Sequence, residues 1–196
     1  MDTNRIITYP ERVMLPEKFY EACVTCNIIN YFKEKRAECV FPFSVSPVRE
    51  KQEGYDFAYE VKDKIFLLQF KRPNRNESCY RWDIDIEQLK VIVNNTYASV
   101  AYYALPQFDD YKMWYQVLSK KYVKFIDAIS LQKYLAKTGK KSINSSYEEL
   151  KDWEQVVFEL FGMNSYNSAL KVENWNYQKE LMTLLELEEM VGYEVE

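Results

Sequence analysis

A nearly continuous apolar run at residues 65–70, Ile-Phe-Leu-Leu-Gln-Phe, constrains the fold of this chain more than any other feature. A half-exposed strand alternates apolar and polar side chains, whereas a strand covered on both faces is apolar almost throughout. The run therefore predicts a strand buried on both faces of its sheet. Its single polar member, Gln69, and the lysine that follows at position 71 stand at the end of that strand.

The elements predicted around this strand alternate between helix and strand. A helix beginning at Pro16 leads into a short extended segment, which its prolines limit to an edge strand or a loop. Residues 55–61 form a hairpin with the apolar run. The later predictions are a helix at 84–93, a strand at 98–105, a short helix at 113–118, a strand at 123–127 and a helix at 130–137. This order predicts an α/β domain.

A polar, turn-rich stretch at residues 138–146 predicts a domain boundary. We place an α/β domain at 1–140 and an acidic helical extension at 141–196. The extension has 12 acidic residues and 4 lysines, whereas the rest of the chain has a net charge of +4. A capping-box pattern at Ser146 and Glu149 predicts a helix start, and a last helix is predicted at 175–190. These helices either dock on the domain or form a surface for a homodimer or larger complex.

The composition excludes several classes of site. The 196 residues include no histidine and only four glycines, so serine and cysteine triads, histidine zinc sites and glycine-rich phosphate loops are not expected. Acid–base chemistry is left to carboxylates, lysine, tyrosine or a metal-bound water. No secretory leader pattern and no apolar run near the roughly 20 residues of a membrane span are found, so we expect a soluble cytoplasmic protein without membrane contact.

Polar residues on the predicted hairpin form a candidate metal site. Gln69 and Lys71 point the same way along their strand, and a turn near Asp63 places Asp56 beside them. The Asp56 carboxylate, the Gln69 side-chain carbonyl and the Phe70 backbone carbonyl are hard oxygen ligands of the kind that Mg²⁺ prefers, and Mn²⁺ accepts the same donors. Lys71 could orient or activate an attacking water. The alternative is a hairpin in which Lys71 only caps the end of a strand and Asp56 lies in a turn or pairs with Lys71.

The pattern Gly54-x-Asp56 followed by Gln69-x-Lys71 resembles the PD-(D/E)XK, or restriction-endonuclease-like, nuclease superfamily, in its Mrr-like variant. The order of predicted elements extends the resemblance over residues 11–137. The resemblance implies a central mixed β-sheet flanked by helices, Mg²⁺ dependence and hydrolysis of phosphodiester bonds. It also suggests a role in antiviral defence against foreign nucleic acid.

Members of this superfamily usually carry an acidic residue on the helix before the hairpin. Glu17 and Glu21 are the candidates here, one helical turn apart, and Glu17 is narrowly preferred. The glutamine at position 69 departs from the more common acid of the family. It lowers the negative charge of the site and weakens metal binding.

A basic stretch follows the hairpin and could bind nucleic acid, with DNA as the expected substrate. Its candidates are Arg72, Arg75 and Arg81, with Tyr80 and Trp82 between them for stacking on bases. The alternative is a solvated loop. Asp83 and Asp85 either add metal ligands or, as we prefer, include the N-cap of the next helix.

The four cysteines could in principle form a zinc site, because Cys23 and Cys26 have the spacing of a metal-binding pair. Both lie in an apolar helical stripe, and Cys39 and Cys79 lack a matching pair. Buried reduced cysteines are therefore the preferred interpretation.

The sequence as a whole predicts a Mg²⁺-dependent nuclease or nuclease subunit. The principal alternative is a catalytically inactive module of the same fold that binds nucleic acid or a partner protein. An inhibitor or adaptor with an acidic tail is a third hypothesis.

Overall fold

A mixed central β-sheet with helices on both faces organises the protein, which we describe from a computed structural model of residues 15–75, 79–162 and 170–171. The helices are α1 (Glu17–Arg36), α2 (Pro47–Glu53), α3 (Ile86–Val93), α4 (Ala128–Thr138) and α5 (Trp153–Phe161). The strands are β1 (Val40–Ser44), β2 (Phe57–Val61), β3 (Lys64–Phe70), β4 (Asn74–Arg75), β5 (Tyr80–Asp83), β6 (Ala101–Pro106), β7 (Val123–Asp127), β8 (Ser142–Asn144) and β9 (Leu170–Lys171).

The order of strands across the sheet is β1-β2-β3-β6-β7, and β9 pairs with the start of β3. The first three strands form an antiparallel meander, β3 and β6 are parallel, and β6 and β7 are antiparallel. Strand β3 is thus interior, and residues 65–70 are each at most 2% exposed. The prediction of a strand buried on both faces is confirmed, as is the coarse prediction of an α/β fold with a mixed sheet between helices.

Helices α1 and α3 cover opposite faces of the sheet. On one face, Thr25 of α1 is 2.6 Å from the hydroxyl of Tyr59, whose ring stacks on Phe66 at 4.9 Å between centroids. On the other face, Gln88 of α3 hydrogen-bonds to Gln69. Phe66 and Gln69 are three residues apart on one strand and therefore point to opposite faces.

Most predicted element boundaries lie within a few residues of the observed ones. Asp85 caps α3 as preferred, since its carboxylate accepts hydrogen bonds from the backbone of Glu87 and Gln88. The predicted strand at 98–105 begins only at 101, because residues 98–100 form a 3₁₀ turn. The short helix predicted at 113–118 is a 3₁₀ turn at Tyr111–Tyr115. Helix α2 was not predicted.

The part of the chain after residue 140 joins the same core as the part before it. Strand β8 pairs with β5, and Trp153 and Leu160 of α5 are buried in the common core. The capping box predicted at Ser146 is wrong: α5 begins at Trp153, and the side chain of Gln155 accepts from the backbone N–H of Asp152. The helix predicted at 175–190 lies outside the described residues.

Among the residues that the structure describes, no helix combines the length and the apolar character needed to cross a membrane.

Gly54 joins α2 to the segment that carries Asp56 and leads into β2. It ends α2 in a left-handed conformation with φ of +83°. A Cβ atom at this position would lie 2.6 Å from Cγ1 of Ile92 and 3.1 Å from the carbonyl oxygen of Gln88. The absence of a side chain therefore lets α3 approach the start of the hairpin closely.

Replacing Gly54 with alanine is expected to lower the free energy of unfolding by about 2 to 4 kcal/mol, because the substitution adds crowding against α3 to the strain of a positive φ. Gly139 is a matched control: its φ is +66°, but a Cβ atom added there would meet no atom within 4 Å. Gly139→Ala should cost only about 1 kcal/mol. Urea unfolding of both variants measures the difference, and equal losses would contradict the close approach of α3.

Candidate functional site

Asp56 and Gln69 meet at the open end of the β2–β3 hairpin. The backbone N–H of Asp56 donates to the carbonyl of Leu68 at 3.0 Å, which sets Asp56 beside the end of β3. One carboxylate oxygen of Asp56, Oδ2, accepts from the backbone N–H of Phe70 at 2.7 Å and from Nε2 of Gln69 at 2.9 Å. The turn at residues 62–63 thus brings Asp56 and Gln69 together as the sequence pattern predicted, whereas Lys71, the third predicted member, contacts Gln88 instead.

A second glutamine extends this contact into a chain of side chains that reaches Lys71. Nε2 of Gln88 donates to Oε1 of Gln69 at 3.1 Å, and Oε1 of Gln88 accepts from Nζ of Lys71 at 2.8 Å. The hydrogen bonds therefore run from Lys71 through Gln88 and Gln69 to Asp56. Lys71 does not pair directly with Asp56, so the form of the alternative in which these two residues pair with each other is wrong.

Gln88 is a site residue that sequence reasoning missed. It lies in the first turn of α3, three residues after the capping Asp85. Its sequence position resembles that of any polar residue on the exposed side of a helix. Only the packing of α3 over β3 brings it to Lys71 and Gln69.

Asp56 is 4% exposed, and the burial of its carboxyl group raises its pKa to about 7. The backbone hydrogen bond from Phe70 and the charge of Lys71 oppose this rise, while the negative charges of Glu50 and Glu21 add to it. A carboxylic acid with this pKa exists in both protonation states near neutral pH. Strongly shifted groups of this kind are common at functional sites.

Of the two acids predicted on the first helix, Glu21 is the one whose charge acts on Asp56. Glu21 is 3% exposed, and its carboxylate lies 2.7 Å from Nζ of Lys18. Burial of the carboxyl group raises the pKa of Glu21, and the charges of Glu17 and Glu50 add to the rise. Glu17 instead accepts a hydrogen bond from the backbone N–H of Arg72 at 2.9 Å.

Glu50 is a further acid near the site that the sequence did not reveal. It belongs to α2, and its charge contributes to the raised pKa of both Asp56 and Glu21. Because α2 was not predicted, nothing in the sequence placed this residue near the hairpin.

The side chains and carbonyl groups around Asp56 offer few oxygen ligands for a magnesium ion. The Asp56 carboxylate and the Phe70 carbonyl are hard oxygen donors, and Mg²⁺ commonly uses one or two carboxylates together with water and substrate phosphate. Gln69, however, turns its amide nitrogen toward both of these oxygens. Within the described ranges, no three acidic, cysteine or histidine side chains are grouped so that they could hold a metal.

Rotation of the Gln69 amide would offer an oxygen to a metal at Asp56, and it would also change the hydrogen bonds of Gln88 and Lys71. If Gln69 turned its oxygen toward Asp56, its nitrogen would face Gln88, which would then have to offer its own oxygen. Gln88 would in turn present a nitrogen to Lys71, and Lys71 would lose its acceptor. The side chains of Gln69, Gln88 and Lys71 are thus linked in their hydrogen-bonding states.

Tyr103 of β6 is paired with Gln69 across the parallel strands and shares its face of the sheet. Its ring is fully buried, and its hydroxyl has no hydrogen-bond partner among the described residues. Burial, with the charges of Asp85 and Asp56, raises the pKa of this phenol. The site therefore contains a protonated hydroxyl group with unused hydrogen-bonding capacity.

Replacing Tyr103 with phenylalanine should raise the free energy of unfolding by about 1 kcal/mol, because the buried hydroxyl gains no bond in the folded chain. Tyr59 provides the opposite case, since its hydroxyl contacts Thr25, and Tyr59→Phe should lower stability by about 1 kcal/mol. Denaturant unfolding of both variants measures the two changes. A loss of stability in Tyr103→Phe would instead indicate an ordered water on the hydroxyl.

Only some of the residues predicted to bind nucleic acid have accessible side chains in the described structure. Nη2 of Arg81 lies 3.2 Å from Oδ1 of Asp83, with both side chains about half exposed. The side chain of Arg75 is outside the described part of the structure. Trp82 is fully buried and donates to the carbonyl of Pro106 at 3.1 Å, so the prediction that it stacks on bases is wrong.

The cysteine pair lies in α1 as predicted, and Cys23 is fully buried. Its thiol donates to the carbonyl of Trp114 at 3.3 Å, and burial raises its pKa to about 12. A thiol with so high a pKa is a poor nucleophile and a poor metal ligand at neutral pH. Cys26 and Cys79 are half-buried, and Cys39 is exposed.

Comparison of the chain with protein-family models, with curated proteins and with solved structures finds no match in any of the three.

Proposed function

We propose that this chain is a Mg²⁺-dependent nuclease of the restriction-endonuclease-like kind. The observation that carries the proposal is the continuous hydrogen-bonded chain of Asp56, Gln69, Gln88 and Lys71 at one end of an interior strand. A raised Asp56 pKa and the nearby acid Glu21 support it. The mixed central sheet between helices, with α1 before the hairpin, is compatible with the coarse fold class that the family resemblance implies.

Each residue has a distinct role in the proposed hydrolysis. Asp56 and the Phe70 carbonyl would hold Mg²⁺, with Gln69 joining them after rotation of its amide. A bound metal would supply Lewis-acid chemistry at the phosphate and would assist ionisation of the attacking water. Lys71 balances negative charge on the phosphate oxygens, and Gln88 holds the Lys71 ammonium group in position until substrate is present.

Nucleic acid is the proposed substrate, and DNA is the first candidate. The net charge of +4 over residues 1–140 permits binding of a polyanion, since lysine and arginine contacts to phosphates supply most of the sequence-independent affinity. Arg81 stands on the exposed face of β5, where such a contact is accessible. Defence against foreign nucleic acid is the biological setting that the resemblance suggests.

A cleavage assay tests the proposal. The full chain is incubated with labelled single- and double-stranded DNA and RNA in Mg²⁺, in Mn²⁺ or in chelator, beside a doubly substituted Asp56→Asn, Lys71→Met protein purified identically. We expect metal-dependent cleavage by the unmodified chain alone. Equal cleavage by both proteins would identify a contaminant, and no cleavage of any substrate would contradict the proposal.

A second candidate function, a non-catalytic module that binds nucleic acid, is favoured by the orientation of Gln69. A metal ion bound to Asp56 would need an oxygen ligand from Gln69, but Gln69 turns its amide nitrogen toward the carboxyl group. The amide donates a hydrogen bond to the carboxyl group, which therefore has a partner without a metal. Fluorescence anisotropy with the same oligonucleotides separates the two candidates. Salt-sensitive binding that is indifferent to metal, without cleavage, would support the module.

A further inference from the structure

An apolar groove with a basic rim lies between α3 and α4. Its volume is about 500 Å³. The apolar part is formed by Ile86, Leu89, Leu135 and Ala136, and four lysines stand around it: Lys90, Lys133, Lys140 and Lys141. The lining contains no acidic residue and no aromatic ring.

Three of the four rim lysines carry charge that the described structure does not neutralise. Lys90 pairs with Glu87 at 2.8 Å. Lys133, Lys140 and Lys141 are exposed and form no ion pair with any acid in the described ranges. A ligand matched to this surface has apolar side chains for the floor and negative charges for the rim.

We propose that the groove binds the acidic, leucine-containing stretch at residues 180–189 of the same chain. This stretch reads Glu-Leu-Met-Thr-Leu-Leu-Glu-Leu-Glu-Glu. Leu181, Leu184 and Leu185 have the spacing of three and four residues that places side chains on one face of a helix. Glu186, Glu188 and Glu189 follow them, so apolar and acidic groups adjoin as the groove requires.

Charge and tether length both favour this occupant. Residues 172–196 contain seven acids and one lysine, opposite in sign to the rim. The tether starts at Lys171, which pairs with Lys64 at the first residue of β3, whereas Gln88 places α3 at the far end of that strand. The strand is about 24 Å long. Residues 172–174 in extended form, followed by the predicted helix from residue 175 to Leu184, span about 25 Å. Attachment to the same chain also raises the local concentration of the stretch.

Nucleic acid is a poorer match for the same groove. Bases bind single-strand sites by stacking on aromatic rings, and phosphates gain nothing from an aliphatic floor. The preference for an acidic amphipathic stretch rests on the groove alone and does not depend on the proposed nuclease function.

Zero-length carbodiimide crosslinking of the full chain, followed by peptide mass spectrometry, tests the proposal. We expect links from Lys133, Lys140 or Lys141 to Glu180, Glu186, Glu188 or Glu189, and at most a background level of links from the exposed control Lys35. Replacing Leu184 and Leu185 with glutamine removes apolar contact but leaves all crosslinking groups, and should lower the yield of groove links about tenfold. Val195→Gln is the matched control and should leave the yield unchanged.

An equal mixture of ¹⁴N- and ¹⁵N-labelled chains identifies the occupant. Links of uniform isotope composition support binding within one chain, whereas mixed links would assign the groove to a second copy and overturn the proposal. The absence of groove links, or yields equal to those of Lys35, would also overturn it.

Discussion

The Asp56→Asn variant is expected to lose cleavage activity and to become more stable than the unmodified chain at pH 8. Asparagine has the shape of the aspartate, and its side-chain oxygen can accept the hydrogen bonds that Phe70 and Gln69 now donate to Oδ2. The substitution therefore removes the charge while leaving the packing in place. Activity should fall by about 100-fold or more, because the principal metal ligand is gone.

The gain in stability follows from the direction of the pKa shift. The pKa of Asp56 rises from 3.8 to about 7 on folding, so between these values the folded chain holds a proton that the unfolded chain has released. The resulting stabilisation is complete below pH 4 and is lost as the pH rises through 7. A shift of this size corresponds to a loss of about 2 to 3 kcal/mol between pH 5 and pH 8.

Urea unfolding at pH 5 and pH 8 measures this effect. The difference in stability between the two proteins, rather than either value alone, isolates Asp56 from other titrating groups. The substituted asparagine does not titrate, so the variant should lack this fall. If the variant were instead less stable at pH 8, the charged carboxylate would stabilise the folded chain through the hydrogen bonds that it accepts. The buried charge would then not destabilise the fold. Retained cleavage would remove Asp56 from the catalytic machinery.

Lys71→Met is expected to reduce the turnover number by about 100- to 10,000-fold with little change in folding. The side chain is only half-buried, and its hydrogen bond to Gln88 can be replaced by water. Methionine retains the length and apolar stem of lysine but removes the charge that balances the phosphate. The exposed Lys120 supplies the control, and Lys120→Met should cleave as the unmodified chain does.

Single-turnover measurements at saturating substrate separate chemistry from binding for the Lys71 variant. A loss confined to KM would show that Lys71 only attracts the polyanion, and would contradict its proposed role at the phosphate during the reaction. Lys71→Arg should recover part of the activity, because charge is retained while the hydrogen-bonding geometry to Gln88 changes.

The sequence predicted those parts of the site that depend on strand periodicity. The apolar run marked β3 as interior, and the two-residue repeat placed Gln69 and Lys71 on one face. The turn before Lys64 then brought Asp56 beside Gln69. Each of these predictions depends only on residues that are close in the sequence or joined by a single hairpin. The sequence pattern was therefore enough to make them.

The remaining parts depend on packing between distant elements. Gln88 reaches Lys71 only because α3 lies over β3, and Glu50 acts on Asp56 only through the short helix α2. The raised pKa of Asp56 results from burial, which a one-dimensional pattern does not quantify. Trp82 shows the converse error: its position among basic residues favoured an exposed ring, whereas the fold places it in the core.

The two outer strands of the sheet differ from its interior in a way that affects association between molecules. Pro42 stands in the middle of the edge strand β1 and has no N–H to offer to another chain. At the opposite edge, the backbone of Phe125 in β7 exchanges two hydrogen bonds with Lys151, at 2.9 and 2.8 Å. Both edges are thus poor templates for a further strand, and the sheet is protected from growing into ordered aggregates at high concentration.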